Sequence, residues 1–234
     1  MDSAQPVRWP YLASAASAVI FGFSFLFTKN ALDSLEMFQL LGWRFLVAAL
    51  LLVILKMSGV IKVRLSREKI TGLLWVALFQ PVLYFSFETL GVDLTSASEA
   101  GIIISLIPIA VAFLAALILG ERLNPVQWIA VVASVGGVVL LTLGGGQQGS
   151  VGHWRGIAAL LGAVAAGSLY SIYSKKASHK SSPIEVTYVM MWVGAIVFNA
   201  IGVAKFALQG KLLAYFTEVV SVQALTAVLY LALL

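Results

Sequence analysis

The stretch "AGIIISLIPIAVAFLAALILGERLNPVQWIAVVASVGGVVLLTL", residues 100–143, carries only two charges, Glu121 and Arg122, between two long apolar runs. An α-helix rises 1.5 Å per residue, so about 20 apolar residues cross the roughly 30 Å hydrocarbon core of a bilayer. Residues 100–120 and 125–143 both meet that length. The island between them reads as a hairpin at the membrane surface, with Asn124 capping the next helix, Pro125 in its first turn and Gln127 reaching back to Asn124.

The same pattern runs through the whole chain of 234 residues, which is 61% hydrophobic and 11% charged, with a mean hydropathy of +0.99. A soluble domain is about 45–50% apolar and roughly 25% charged. Eight apolar runs are legible, at 11–28, 37–55, 70–87, 100–120, 125–143, 156–174, 186–204 and 219–234. They are too long and too continuous for the alternating strands of a barrel. The expected fold is an all-α integral membrane protein, a polytopic bundle of about eight transmembrane helices. The first run is a span rather than a cleaved signal, because its small residues Ala13–Ala18 precede its bulky ones, Phe21–Phe27. With no cysteine there is no disulfide framework and no thiolate site.

Lys and Arg set the expected orientation. With the N-terminus cytoplasmic, ten of them fall on the inner side, among them Arg8, Lys69, Arg122, Lys175, Lys176 and Lys180. Four, Lys29, Arg155, Lys205 and Lys211, fall outside. The positive-inside rule therefore favours a cytoplasmic N-terminus, and the expected location of the multi-pass chain is the plasma membrane. Anionic lipid headgroups account for the basic balance, and no nucleic-acid partner is implied.

Several acids have an expected structural task. Asp33 with Glu36, Ser96 with Glu99, and Ser182 with Glu185 have the three-residue spacing of a helix-capping box. Ala133 and Gly137, and Ala158, Gly162 and Ala166, recur every fourth residue as small positions for close helix packing. No run contains Asp or Glu, and the two histidines, His153 and His179, fall in loops on opposite sides. Residues 144–149, "GGGQQG", read as a flexible external linker.

Arg44 is the exception, seven residues into the second run and so about 10 Å deep. An intramembrane cation is costly unless it pairs, snorkels or faces water. Its expected roles are a structural pair with Glu88 or Glu99, or contact with an anionic part of a substrate. Ser24, Gln80, Tyr84, Ser105 and Tyr170 are further polar candidates for a substrate cavity. The serines equally suit bonds to their own backbone, and Tyr84 suits an interfacial belt. Gln80 beside Pro81, and Pro108 in the fourth run, mark places where a helix breaks, and broken helices recur at transporter binding sites.

Residues 18–22, "AVIFG", also match 163–167, "AVAAG", in Ala, Val and Gly, at a shift that brings Phe25 onto Tyr170. Five runs precede the linker, so a second copy starts on the opposite side of the membrane, as an inverted repeat does.

"GFSFLFTKNAL" from Gly22, "RFLVAALLL" from Arg44 and "TSASEAGIIISLIPIAVAFLAALILGERLNPVQWIAVVASVGGVVLL" from Thr95 resemble the EamA-type branch of the drug/metabolite transporter superfamily. The resemblance implies ten spans in two inverted five-helix repeats and export or exchange of a small metabolite, such as an amino acid, by alternating access around a central cavity. On that frame residues 11–143 are the first repeat, 144–155 an external linker and 156–234 an incomplete second repeat. The chain then reads as a C-terminally truncated form of a ten-helix transporter. "LGERL" ends the fourth span of a repeat in such proteins.

Spans one, three, four, six and eight are expected to line the cavity, with membrane lipids and a small-molecule substrate as the partners. No enzyme is expected, since the runs hold no acid pair, Ser-His arrangement or metal cluster, and no cofactor is called for. A cation channel would need a ring of acids or a carbonyl filter. The alternative is a membrane receptor or structural subunit without transport, and oligomeric state is not legible.

Overall fold

The computed structural model describes residues 8–119, 124–144 and 150–234. Glu121 and Arg122, and the linker residues 145–149, fall outside these. Every regular element among the described residues is helical. Helix α1 is Arg8–Leu32 and α2 is Met37–Met57. The third apolar run forms α3 (Arg67–Ala77), a π-helical turn (Leu78–Leu83) and α4 (Tyr84–Leu94). The fourth forms α5 (Ala97–Ile104) and α6 (Ile107–Leu119). Then follow α7 (Pro125–Gly144), α8 (Val151–Ala177), α9 (Pro183–Leu208), the short α10 (Leu212–Thr217), a 3-10 turn (Glu218–Val220) and α11 (Val222–Leu233).

The protein is an all-α polytopic membrane protein. Six helical segments are long and apolar enough to cross a bilayer, and α10 through α11, bent by 84°, makes a seventh if taken together. The apolar part of α7, Pro125–Leu140, is shorter. The expected eighth span, 219–234, becomes helical again only at Val222, because the Ser221 side chain accepts from the Ala224 amide and caps α11.

Helix ends are closed by side chains, as a backbone leaving hydrocarbon requires. Ser96 and Glu99 form a reciprocal box, with the Ser96 amide donating to the Glu99 carboxylate at 3.0 Å. Ser182 and Glu185 do the same for α9, and Asn124 with Gln127 for α7. The Asp33–Glu36 box does not form. Glu36 is itself the N-cap of α2, and its amide donates to Gln39, one turn on.

Two helix pairs and one central seam organise the bundle, all antiparallel. At the seam α2 lies along α9, where the Asn199 side chain donates to the Gly42 carbonyl at 2.9 Å and Gly194 makes room for Phe45 and Pro81. On one side α1 meets α11 through Phe27 stacked on Tyr230 at 4.1 Å and the Tyr230 hydroxyl donating to the Ile20 carbonyl. On the other, α4 meets α8 in a close zipper: Gly91 on Leu160, Gly156 on Leu94 and Thr95, Gly162 on Phe87, and Gly167 on Tyr84. Lys29 joins the first pair to the second, donating to the carbonyls of Val92, Asp93 and Thr95 at 2.7–2.9 Å. The bundle thus has a Lys29 end and, at the far side, a Lys176 end.

The small-residue rows need one correction. Gly137 has nothing within 4 Å of an added Cβ, since α7 is peripheral, and Ala158 points outward. The residues that admit close approach on α8 are Gly156, Gly162 and Gly167. Gly156→Val is therefore expected to lower the thermal unfolding temperature in detergent, at a cost of about 1–3 kcal/mol, because its Cβ would sit 2.6 Å from Thr95 and 2.8 Å from Leu94. Gly136→Ala, which meets open space, is expected to leave it unchanged or slightly raised.

Candidate functional site

Hydrophobic periodicity and one backbone break bring a cation and an acid to the same depth. Arg44 lies seven residues into α2 from Met37, about 10 Å, and Glu88 six residues from the Leu94 end of α4, about 9 Å. The two ends belong to the same Lys29 end of the bundle. At Gln80 the backbone turns extended (φ −144°, ψ 118°) within the π-helical turn, and the Gln80–Pro81 peptide is cis. From Tyr84 onward the helix restarts with Tyr84 and Glu88, one turn apart, on its buried face.

Arg44 is 7% exposed and Glu88 3%. They attract each other electrostatically, yet no nitrogen–oxygen contact within ion-pair distance joins them; the lysine–carboxylate pairs among the described residues are Lys69–Glu185 and Lys205–Glu36. The guanidinium instead lies over aromatic faces, its Cζ 4.5 Å from the Phe85 centroid and 5.3 Å from that of Phe45. Such faces attract a cation more strongly when water is excluded. Phe45 meets Phe85 edge-on at 5.2 Å, and Tyr84 meets Phe85 edge-on at 4.9 Å. Glu88 accepts from the Thr89 hydroxyl at 3.4 Å, while the buried Tyr84 hydroxyl has no partner among the described residues. The site brings a guanidinium, a carboxyl group, an aromatic wall and an unmatched hydroxyl together in one buried place.

Four expectations change here. Glu88 lies inside a spanning segment, so the spans do contain an acid. Glu99 is not the partner of Arg44: one of its oxygens closes the α5 cap and the other faces His153 at 3.7 Å. His153 is itself buried in the first turn of α8 rather than in a loop. Tyr84 is 3% exposed, in the core, and does not sit in an interfacial belt.

The remaining candidates are dispersed. Ser24 and Ser105 donate to backbone carbonyls three residues back, both at 2.6 Å. Ser105 does so at the break between α5 and α6, where Pro108 fits the first turn of the new helix. Ser105 and Pro108 also face a groove of about 1020 Å³ between α1 and α5–α6, walled by Phe21 and Phe25. Gln80 is half-buried at the break, and Tyr170 packs among Leu73, Val76 and Met190 of α3 and α9.

Asn199 was not singled out from sequence, although an amide inside an apolar run was visible. It accepts from the Tyr215 hydroxyl at 2.7 Å, and Gln39 and Trp43 donate to the Tyr215 carbonyl, so α10 is tied to the α2–α9 seam. No group of three metal-ligating side chains occurs among the described residues.

Known proteins align with this architecture. A solved crystal structure covers 93% of the chain and 85% of its own, with a TM-score of 0.53 and 18% identity, a likeness of fold alone. "Uncharacterized transporter YcxC" of Bacillus subtilis is 32% identical over 224 residues, which span 96% of this chain and 72% of that protein. An "Uncharacterized transporter" of Archaeoglobus fulgidus is 25% identical and "Uncharacterized transporter YetK" of B. subtilis 27%; the match spans 80% of this chain in both, but only 64% and 58% of those proteins. The EamA-like transporter family model matches residues 8–143, more than half of the chain, and with the first of these relatives it shows that the chain belongs to the EamA-like transporter family.

Proposed function

We propose that the protein exports or exchanges a small metabolite, an amino acid or related compound, by alternating access, with the substrate's charged group engaging Arg44 and Glu88. The observation that carries this reading is the buried Arg44, stacked on Phe85 and attracted to Glu88 without touching it. A buried pair held for structure alone gains most by closing into direct hydrogen bonds, since desolvation of both ions must be offset. A pair held apart beside an unmatched Tyr84 hydroxyl has donors and an acceptor left for a third group. A carboxylate suits the guanidinium fork, and an ammonium suits Glu88.

The pairing of helices supports an inverted repeat, with residues 11–143 and 156–234 as its two parts and 144–155 between them. If α1 corresponds to α8, α2 to α9 and α4 to α11, the α1–α11 pair maps onto the α8–α4 pair, and the α2–α9 seam maps onto itself. The breaks at Gln80–Pro81 and at Ser105–Leu106 supply bending points in the third and fourth segments. The excess of lysine and arginine at the Lys176 end supports a cytoplasmic N-terminus in the plasma membrane.

Counterflow of a labelled pool of amino acids and related metabolites into proteoliposomes tests the reading. The inserted protein is expected to accumulate one compound class, and Arg44→Ala to reduce the rate at least roughly tenfold. Inserted protein without flux for any of these compounds contradicts it. Glu88→Gln leaves a buried guanidinium without its counter-charge. It is expected to cost up to about 3–5 kcal/mol in stability, whereas Glu99→Gln, which keeps an acceptor at the third position of the capping box, costs less than about 1 kcal/mol. Thermal unfolding of the three proteins in one detergent compares them.

A further inference from the structure

At the Lys176 end a groove of about 520 Å³ lies between α3 and α8, within the size range of small-ligand sites. Its floor is apolar, formed by the buried Leu73 and Val76. Trp75, 65% exposed, and Tyr173 stand at its side, open to the surroundings of the bundle. Its mouth is basic. Lys176 and Lys180, from the last turn of α8 and the turn after it, line the groove, and Lys175 adjoins them.

The charges at this mouth are unequally matched. Lys69 is held by Glu185, at 2.9 Å and 3.1 Å, and so is already neutralised. Glu68, on the opposite lip, offsets one further cation. Lys176 has no acidic partner among the described residues, and its Nζ lies 5.7 Å from the Tyr173 ring, against the groove wall. Lys180 has no acidic partner among them either. The Ser181 side chain lines the groove, is nearly buried and makes no hydrogen bond among the described residues.

We propose that this groove is a binding site for an anionic phospholipid of the membrane leaflet at the Lys176 end. The phosphate sits between Lys176 and Lys180, with the Ser181 hydroxyl as a further donor, and an acyl chain follows Leu73 and Trp75 towards the hydrocarbon. Both halves of the ligand are matched: a free anion would leave the apolar floor wet, and a zwitterionic lipid would bring a cation of its own to a mouth that already holds unmatched lysines. The bound lipid bridges α3 and α8 on the Lys176 side of the break at Gln80–Pro81.

The test uses the full chain purified in detergent, with phosphatidylglycerol as the anionic probe, phosphatidylcholine as the neutral one and inorganic phosphate as the free anion. Native mass spectrometry reads retained lipid, and thermal unfolding reads stabilisation. Phosphatidylglycerol is expected to remain bound and raise the unfolding temperature, and phosphatidylcholine not to do so. Lys176→Gln with Lys180→Gln is expected to weaken that binding roughly tenfold or more, as the loss of two charges near an anionic headgroup implies. Lys205→Gln with Lys211→Gln, at the other end, is expected to leave it unchanged. Equal retention of the two lipids, an unaltered preference in the Lys176/Lys180 variant, or the same stabilisation by inorganic phosphate alone overturns the proposal.

Discussion

Hydrocarbon offers no hydrogen bonds, so every charge and every interrupted helix inside it must find its partner within the protein. That constraint meets its hardest case at Arg44, and the neighbouring structure follows from it. A guanidinium about 10 Å into α2 needs an acid at the same depth, and Glu88 is delivered there by α4. It needs polarisable walls, and Phe85 and Phe45 provide them. Phe45 in turn needs space on the partner helix, and Gly194 of α9 leaves it. The α2–α9 seam is thus shaped around one charge.

The same constraint explains how the rest of the bundle divides. Apolar packing is nearly free of directional preference in lipid, so close approach depends on small residues and on the few polar groups that cross between helices. The α4–α8 zipper relies on glycine, with Gly91, Gly156, Gly162 and Gly167 each facing a large side chain or a backbone segment. The α2–α9 seam relies on polar links, with Asn199 reaching Gly42 and the Tyr215 hydroxyl. Lys29 closes three carbonyls at the end of α4 that no helix continues to satisfy. The α3–α8 groove and a second one between α6 and α8 lie towards the Lys176 end, while the larger groove between α1 and α5–α6 reaches the start of α5, beside the Lys29 end.

Membrane class, helical fold and most helix caps are legible in the sequence because each rests on local chemistry: apolar length, or an acid three residues after a short polar side chain. Arg44 is legible for the same reason, as a charge where none belongs. Glu88 is legible as one of two partners for Arg44, but its depth is not, because hydropathy ends a run at the first charge it meets and so places Glu88 just past the 70–87 window instead of within the span. Pro81 and Pro108 announce breaks, but not that the helix after Gln80 is re-phased to bury Tyr84. The Asp33–Glu36 spacing fits a capping box, yet α2 begins later and takes Glu36 as its cap, a choice made by the contact of Gln39 with α10. Gly137 has the right spacing on a helix that lies at the edge of the bundle, and spacing alone carries no information about a neighbour.

The central claim is that the Arg44–Glu88 pair serves transport and not only assembly. Replacing both charges by apolar residues of similar size, Arg44→Met with Glu88→Leu, separates the two, since removing a whole buried pair is often neutral for stability while removing one member is not. Thermal unfolding and substrate counterflow are measured on the double variant and on each single one. The account predicts that the double variant regains much of the stability that each single variant loses, and that its flux stays abolished. Flux at the unmodified protein's rate from a stable double variant would contradict it, and would assign the pair to assembly alone.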